Sequence, residues 1–268
     1  IEITLSGTPL QTKDFQWDLT ANFSKNQTDV VKLADGVENI FLAGFVDPQI
    51  RIMPGKNGYG VIWGTRYERN AKGQMMIDDQ GYPILASDLG PIGNVQPDWI
   101  ANLRTSFSYK GISVSALFNM RQGGQILNFD KYYTIYYGTA IETANRGSSY
   151  IWPGVNANTG AKNTTSIVRD EAYYRGFYTN ADENLVEDGG FVKLKELSLS
   201  YSLPRSIVSK TPFQGITVSG IGRNLWIHTK FTYGDPEGNL LGSGNAQGFY
   251  HEVTPNTRSY SVSIRVSL

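Results

Sequence analysis

The stretch Tyr260-Ser261-Val262-Ser263-Ile264-Arg265-Val266-Ser267-Leu268 decides the fold. Successive side chains of an extended strand point to opposite faces. Tyr260, Val262, Ile264, Val266 and Leu268 therefore make one apolar face, and Ser261, Ser263, Arg265 and Ser267 one polar face. Upstream, Phe15, Trp17, Leu19, Ala21 and Phe23 alternate with Gln16, Asp18, Thr20, Asn22 and Ser24 in the same way. So do Ala101, Leu103, Thr105, Phe107 and Tyr109 against Asn102, Arg104, Ser106 and Ser108. After Lys110-Gly111, a link of hairpin length, Ile112, Val114, Ala116, Phe118 and Met120 face Ser113, Ser115, Asn119 and Arg121, with Leu117 the one breach. Two further strands are predicted over Phe191 to Leu203 and about Ile216 to Thr229, and Ile1 to Leu5 reads as the stub of another. The apolar phase slips between Leu194 and Leu197, which predicts a β-bulge there. Helix is scarce, the best window being Phe129 to Tyr137.

Composition supports an all-β chain and removes other classes. Among 268 residues, 24 Lys+Arg balance 24 Asp+Glu, so there is no basic face for nucleic acid. The absence of cysteine excludes disulfide scaffolds and Cys-ligated metal centres. Charged residues are 18% of the chain, against roughly 25% in an average domain, while glycine and aromatic residues run high. No stretch approaches the roughly 18 apolar residues of a membrane helix; the densest run, Ile40 to Val46, has the length of a buried strand.

The spacing of the strands carries more than their number. Connections run short (Ser6 to Asp14), long (Lys25 to Asp98), short (Lys110-Gly111), long (Gly123 to Gly190), short (Pro204 to Gly215) and long (Lys230 to Thr257). Tight turns at one end and long loops at the other, on up-and-down strands of about ten residues, mark an outer-membrane β-barrel. The alternatives are a soluble glycan-binding β-sandwich, whose apolar strand faces would form an ordinary core, and a complete small porin-like barrel.

Several segments also resemble SusC/RagA-like TonB-dependent transporters. They are Tyr109 to Ser115 followed by Arg121-Gln122-Gly123-Gly124; Gly190 to Pro204; Gly222-Arg223-Asn224-Leu225 through Lys230; Gly234-Asp235-Pro236-Glu237; and Pro255 to Tyr260 leading into the last strand. The resemblance implies an antiparallel transmembrane β-barrel segment with long extracellular loops and short periplasmic turns, part of a barrel of about 22 strands. Residues 1–268 would then be the C-terminal portion of that barrel, with the plug domain and N-terminal strands outside this chain. The implied function is import of oligosaccharides or peptides across the bacterial outer membrane. The implied partners are a SusD-like lipoprotein lid, the remainder of the transporter chain, the TonB complex acting through the N-terminal part, and outer-membrane lipid. The ending in Leu268 departs from the aromatic terminus usual for such barrels.

Catalytic motifs are absent: there is no HExxH, Gly-x-Ser-x-Gly elbow or Walker loop. Gly220-Ile221-Gly222 lies inside a strand and reads as a close-packing or bend feature. The pairs Asp78-Asp79, Asp182-Glu183 and Glu187-Asp188 read as solvated loop carboxylates suited at most to calcium; no other cofactor is expected, and no enzyme. Binding capacity sits in aromatic loops. Tyr132, Tyr133, Tyr136, Trp152, Tyr173, Tyr174, Phe177 and Tyr250 are predicted to contact substrate or lid, since flat rings with polar tips bury area at low entropy cost. Their alternative role is a small core of the loops themselves, or an aromatic girdle at the membrane interface. Asp18, Asn22, Arg104, Asn119, Arg121 and Arg265, on the polar strand face, are predicted to line the lumen.

Overall fold

The computed structural model describes residues 1–244 and 246–268. Seven long strands form one antiparallel sheet in chain order: β1 (Glu2–Gln11), β2 (Phe15–Ser24), β3 (Pro97–Tyr109), β4 (Ile112–Gly123), β5 (Phe191–Ser202), β6 (Gly215–Thr229) and β7 (Ser259–Ser267). The β1 stub is a full strand of ten residues, so its turn shrinks to residues 12–14. At the β3–β4 turn Lys110 and Gly111 both take positive φ, of 45° and 85°. That is the primed geometry which matches the right-handed twist of the flanking strands. The β5–β6 link carries a one-turn helix, α2 (Arg205–Val208). These three links lie at one end of the sheet, and the long loops L1 (residues 25–96), L2 (124–190) and L3 (230–258) lie at the other.

Cross-strand register turns the sequence alternation into two continuous faces. One row runs Phe15, Tyr109, Ile112, Tyr201, Val218 and Ile264; the next runs Leu10, Trp17, Phe107, Val114, Leu199, Gly220 and Val262. Among the described residues no second sheet covers this apolar face: Val262 stays 78% exposed and Ile264 68%. A sandwich would bury both, so the sandwich reading fails. Among the described residues β1 pairs only with β2 and β7 only with β6, so the sheet is open at both edges and is not a closed small barrel. Thr105, the polar exception on the apolar face, accepts a hydrogen bond from Trp17 Nε1 at 3.0 Å. That contact pairs an indole N–H which hydrocarbon would otherwise strand.

The predicted bulge is present. Leu194 pairs with Trp226 and Glu196 with Arg223, leaving Lys195 on β5 opposite both Asn224 and Leu225 on β6. The same slip separates Leu117 and Phe118 in the β4–β5 pairing. Asn224 takes the left-handed conformation this requires, with φ 52°. Leu225, the surplus residue, covers Gly222, where a Cβ would come within 2.9 Å of it. The Gly220-Ile221-Gly222 segment is therefore a packing feature of the bulge.

The hydrophobic core lies in the loops. L1 contributes a four-stranded sheet (Ile40–Gly44, Gln49–Ile52, Tyr59–Gly64, Gly90–Asn94). Its Ile40–Gly44 strand is an edge: Phe41 is 52% exposed and the adjoining Val46 91%, so the apolar run there is not buried as its length suggested. Gln125–Asn128 of L2 pairs with Val186–Asp188 of L2 and with Phe249–Tyr250 of L3, and Met76–Ile77 of L1 pairs with Val155–Asn156 of L2. The three loops thus interlock into one cap over one end of the sheet.

Candidate functional site: a polar wall under an aromatic cap

All six predicted lumen residues lie on the polar face of the sheet. Thr4, Asn22, Asn102, Asn119 and Lys193 form one cross-strand row. Thr4 donates to Asn22 Oδ1 at 2.9 Å, and Asn119 Nδ2 donates to Asn102 Oδ1 at 2.7 Å. In the adjacent row Arg104 and Arg223 flank Glu196, at 3.9 and 3.0 Å. Leu117, the breach in the alternation, occupies the position between Arg104 and Glu196. Asp18 accepts from Thr8 at 2.7 Å and from Gln16 at 2.8–2.9 Å. Serine pairs continue the wall, Ser108 with Ser113 and Ser200 with Ser219, each at 2.8 Å. Arg265 pairs with Thr217 near the turns, and Arg121 lies at the loop end, where it donates to the Val95 carbonyl at 3.4 Å.

The residues that fasten the cap to this wall lie in two of the segments that carry the family resemblance, but were not predicted as site residues. Lys193, 3% exposed, donates to both carboxylate oxygens of Asp235 at 3.1 Å and also pairs with Glu237. Lys195, two residues on and so on the same face, reaches both oxygens of Glu237 at 2.7 Å. Burial alone would push the Asp235 carboxyl up. The Glu237 amide, the Lys193 ammonium and the Asn256 amide outweigh it, and the net direction is below the usual carboxylate range. Tyr250 shapes this turn from beneath: its hydroxyl accepts from the Asp235 amide at 3.3 Å, and a Cβ on Gly234 would strike its ring. The signal lay in two lysines two residues apart at the phase slip, Lys193 just before it and Lys195 within it.

The predicted loop aromatics divide into two groups. Trp152, Tyr173 and Tyr174 are 4–6% exposed inside a core with Tyr67, Ile77, Ile135 and Ile167, and Tyr250, 2% exposed, packs with Phe231 and Ile126. As a docking surface these four are corrected to the loops' own core. Burial pushes the Tyr173 hydroxyl up to about 12. Phe177 is half-buried and stacks on Tyr82 at 4.1 Å.

Tyr132, Tyr133 and Tyr136 remain accessible on helix α1 (Phe129–Tyr136). Asn128 caps α1 by accepting from the Lys131 amide at 3.1 Å, while its Nδ2 binds Glu187 and the Thr232 carbonyl, so one side chain joins the helix to L3. Residues four apart share a helix face, and the repeated Tyr-Tyr pairs of Lys131-Tyr132-Tyr133-Thr134-Ile135-Tyr136-Tyr137 therefore stack in two columns. Tyr132 lies on Tyr136 with centroids 5.5 Å apart, and the Arg175 guanidinium caps that column 4.0 Å from the Tyr136 ring. Tyr133 lies on Tyr137 at 6.4 Å, with His251 stacked on its other side at 5.2 Å. Tyr137 is the most exposed ring of the set, at 68%.

The carboxylate pairs serve loop contacts. Asp79 accepts from Asn156 and Asn158; Glu183 pairs with Arg69 at 2.8 Å; Glu187 pairs with Lys131 at 3.2 Å. Asp182 takes the Thr65 amide and hydroxyl, both at 2.9 Å. Burial, with the Asp47 carboxylate nearby, pushes its carboxyl up to about 7 against the lowering effect of Thr65.

No family model matches the chain. It is similar to the TonB-dependent receptor P3 of Formosa agariphila, at 25% identity over 99% of this chain and 28% of that protein. It is also similar to the TonB-dependent receptor SusC of Bacteroides thetaiotaomicron, at 24% identity over 88% of this chain and 24% of that protein. The chain thus spans about a quarter of the length of these curated relatives. In fold it matches the RagAB peptide transporter, with a TM-score of 0.66 at 23% identity over 99% of this chain and 28% of that one. An open state of the RagAB peptide importer gives 0.67 over the whole chain. The relatives are receptors and transporters, not enzymes. Along nearly its entire length the chain is thus similar to a segment of TonB-dependent receptors, and its meander with one apolar and one polar face has the fold of the matching part of the RagAB peptide transporter.

Proposed function

We propose that the intact protein imports an oligosaccharide or peptide across the outer membrane by gated passage. In this reading residues 1–268 are the C-terminal part of the barrel, a SusD-like lipoprotein closes the mouth, and TonB acts through a plug carried by the N-terminal part. The polar face, with Asp18, Asn22, Arg104, Asn119, Arg121 and Arg265, lines the lumen. Tyr132, Tyr133, Tyr136 and Tyr137 meet ligand or lid. One observation carries the reading: the loop cap is held to the polar side of the sheet by buried charge, through Lys193 and Asp235, so captured material would rest directly above a hydrogen-bonding wall. Peptide is favoured by the likeness to a peptide transporter, and glycan by the ring-sized aromatic columns.

The test is uptake by cells lacking the gene and complemented with wild type or with Tyr132, Tyr133, Tyr136 and Tyr137 all replaced by Ala. The variant is expected to assemble as a heat-modifiable barrel yet lose uptake or co-purification of the lipoprotein. Normal uptake with a retained lid would contradict the assignment.

A further inference from the structure

We propose that the cavity of about 260 Å³ between the C-terminal end of α1 and the helical turn at Ala172–Tyr178 is a subsite for a carboxylate on the transported ligand, bound by Arg146 and Arg169. This rests on the import reading and adds a substrate class to it.

Three guanidiniums, those of Arg146, Arg169 and Arg175, line this cavity beside the Tyr136 and Tyr137 rings, against two carboxylates, Asp170 and Glu171. The acids are already engaged. Glu171 pairs with Arg175 at 2.6 Å, and Asp170 accepts from the Tyr173 amide at 3.0 Å. Arg146 and Arg169 have no carboxylate partner among the described residues. Arg169 is nonetheless held in place, 4.2 Å over the Tyr150 ring and 3.2 Å from Ser148 Oγ. Arg146 is exposed and lies against Gly138, whose φ of 71° and missing side chain admit it: a Cβ there would meet Arg146 Nη1 at 2.8 Å.

One fixed and one free guanidinium on the wall of an aromatic-lined cavity suit a planar carboxylate. The guanidinium fork matches its two oxygens, and a pre-set partner lowers the ordering cost of binding. The exposed Tyr137 ring offers a platform for the unit that bears the acid. Two sources share this chemistry, an acidic sugar and a peptide C-terminus.

The experiment titrates the full-length protein in detergent with trigalacturonate, neutral trigalactose, tetra-alanine and tetra-alanine amide, in wild type and Arg146→Gln. At least one acid is expected to bind tenfold or more tightly than its neutral partner, with the preference falling below threefold in Arg146→Gln. Preference confined to the sugar pair or to the peptide pair tells which source the site takes. Equal affinity for acid and neutral partners overturns the subsite and leaves the import reading standing. Preference undiminished in Arg146→Gln, or no binding of either acid at millimolar concentration, also overturns the subsite, while the import reading is judged separately by uptake.

Discussion

Lys193 Nζ sits 3.1 Å from both carboxylate oxygens of Asp235, a contact that spans the barrel wall and the third loop with Lys193 only 3% exposed. Removing one partner of a buried pair strands the other, at a cost of roughly 3–5 kcal/mol, whereas replacing both by apolar groups costs far less. Lys193→Met or Asp235→Leu alone is therefore expected to free L3, and the double variant to restore only part of the loss, because Asp235→Leu also removes the acceptor of the Glu237 and Asn256 amides. Hydrogen exchange across residues 230–258 reads this directly. Lys195→Ala is expected to do less, because Lys195 is the more exposed lysine and its partner Glu237 keeps its bond to Lys193.

The two faces of the sheet should respond differently to charge. Val262, Ile264 and Phe107 belong to the unbroken apolar rows, and Ser263 and Ser106 to the polar face. Arginine at a lipid-facing midplane position costs about 2–4 kcal/mol in barrel folding. Val262→Arg and Phe107→Arg should lose stability on that scale in reversible folding into lipid, and Ser263→Arg and Ser106→Arg should lose little. Equal tolerance on both faces would contradict the membrane assignment.

Asp182 makes the junction of L1 and L2 sensitive to pH. Its carboxyl is raised from 3.8 to about 7, so the folded junction favours the protonated acid. The stabilisation is complete below about pH 4 and is lost as pH rises through 7. Protease resistance of L1 and L2 is expected to be greater at pH 5 than at pH 8, and Asp182→Asn should flatten that difference. A wild-type junction that tightens as pH rises would contradict the assignment.

Much of this architecture was legible because its signal is local. Alternation at Tyr260–Leu268 and Phe15–Ser24 needs only the two-residue period of a strand. The bulge was visible as a phase slip between Leu194 and Leu197. The site was less legible, since burial in a loop cap is a tertiary property. Nothing in the composition separates Trp152, folded into a core, from Tyr137, left in the open. Lys193 and Asp235 stand 42 residues apart, and only the return of L3 over β5 brings them together. The β1 strand was under-read because Gly7, Thr8 and Pro9 interrupt its alternation, at the point where its register with β2 shifts.

The central claim is that these strands cross the outer membrane with the long loops outside and the tight links inside, and side-selective labelling tests it most directly. The chain has no cysteine, so single Asn158→Cys and Ser209→Cys variants, at exposed positions in L2 and in the β5–β6 link, each report one side. With a membrane-impermeant maleimide on intact cells, the account predicts labelling at 158, and at 209 only after the outer membrane is permeabilised. Labelling at 209 but not at 158, or at both in intact cells, would contradict it.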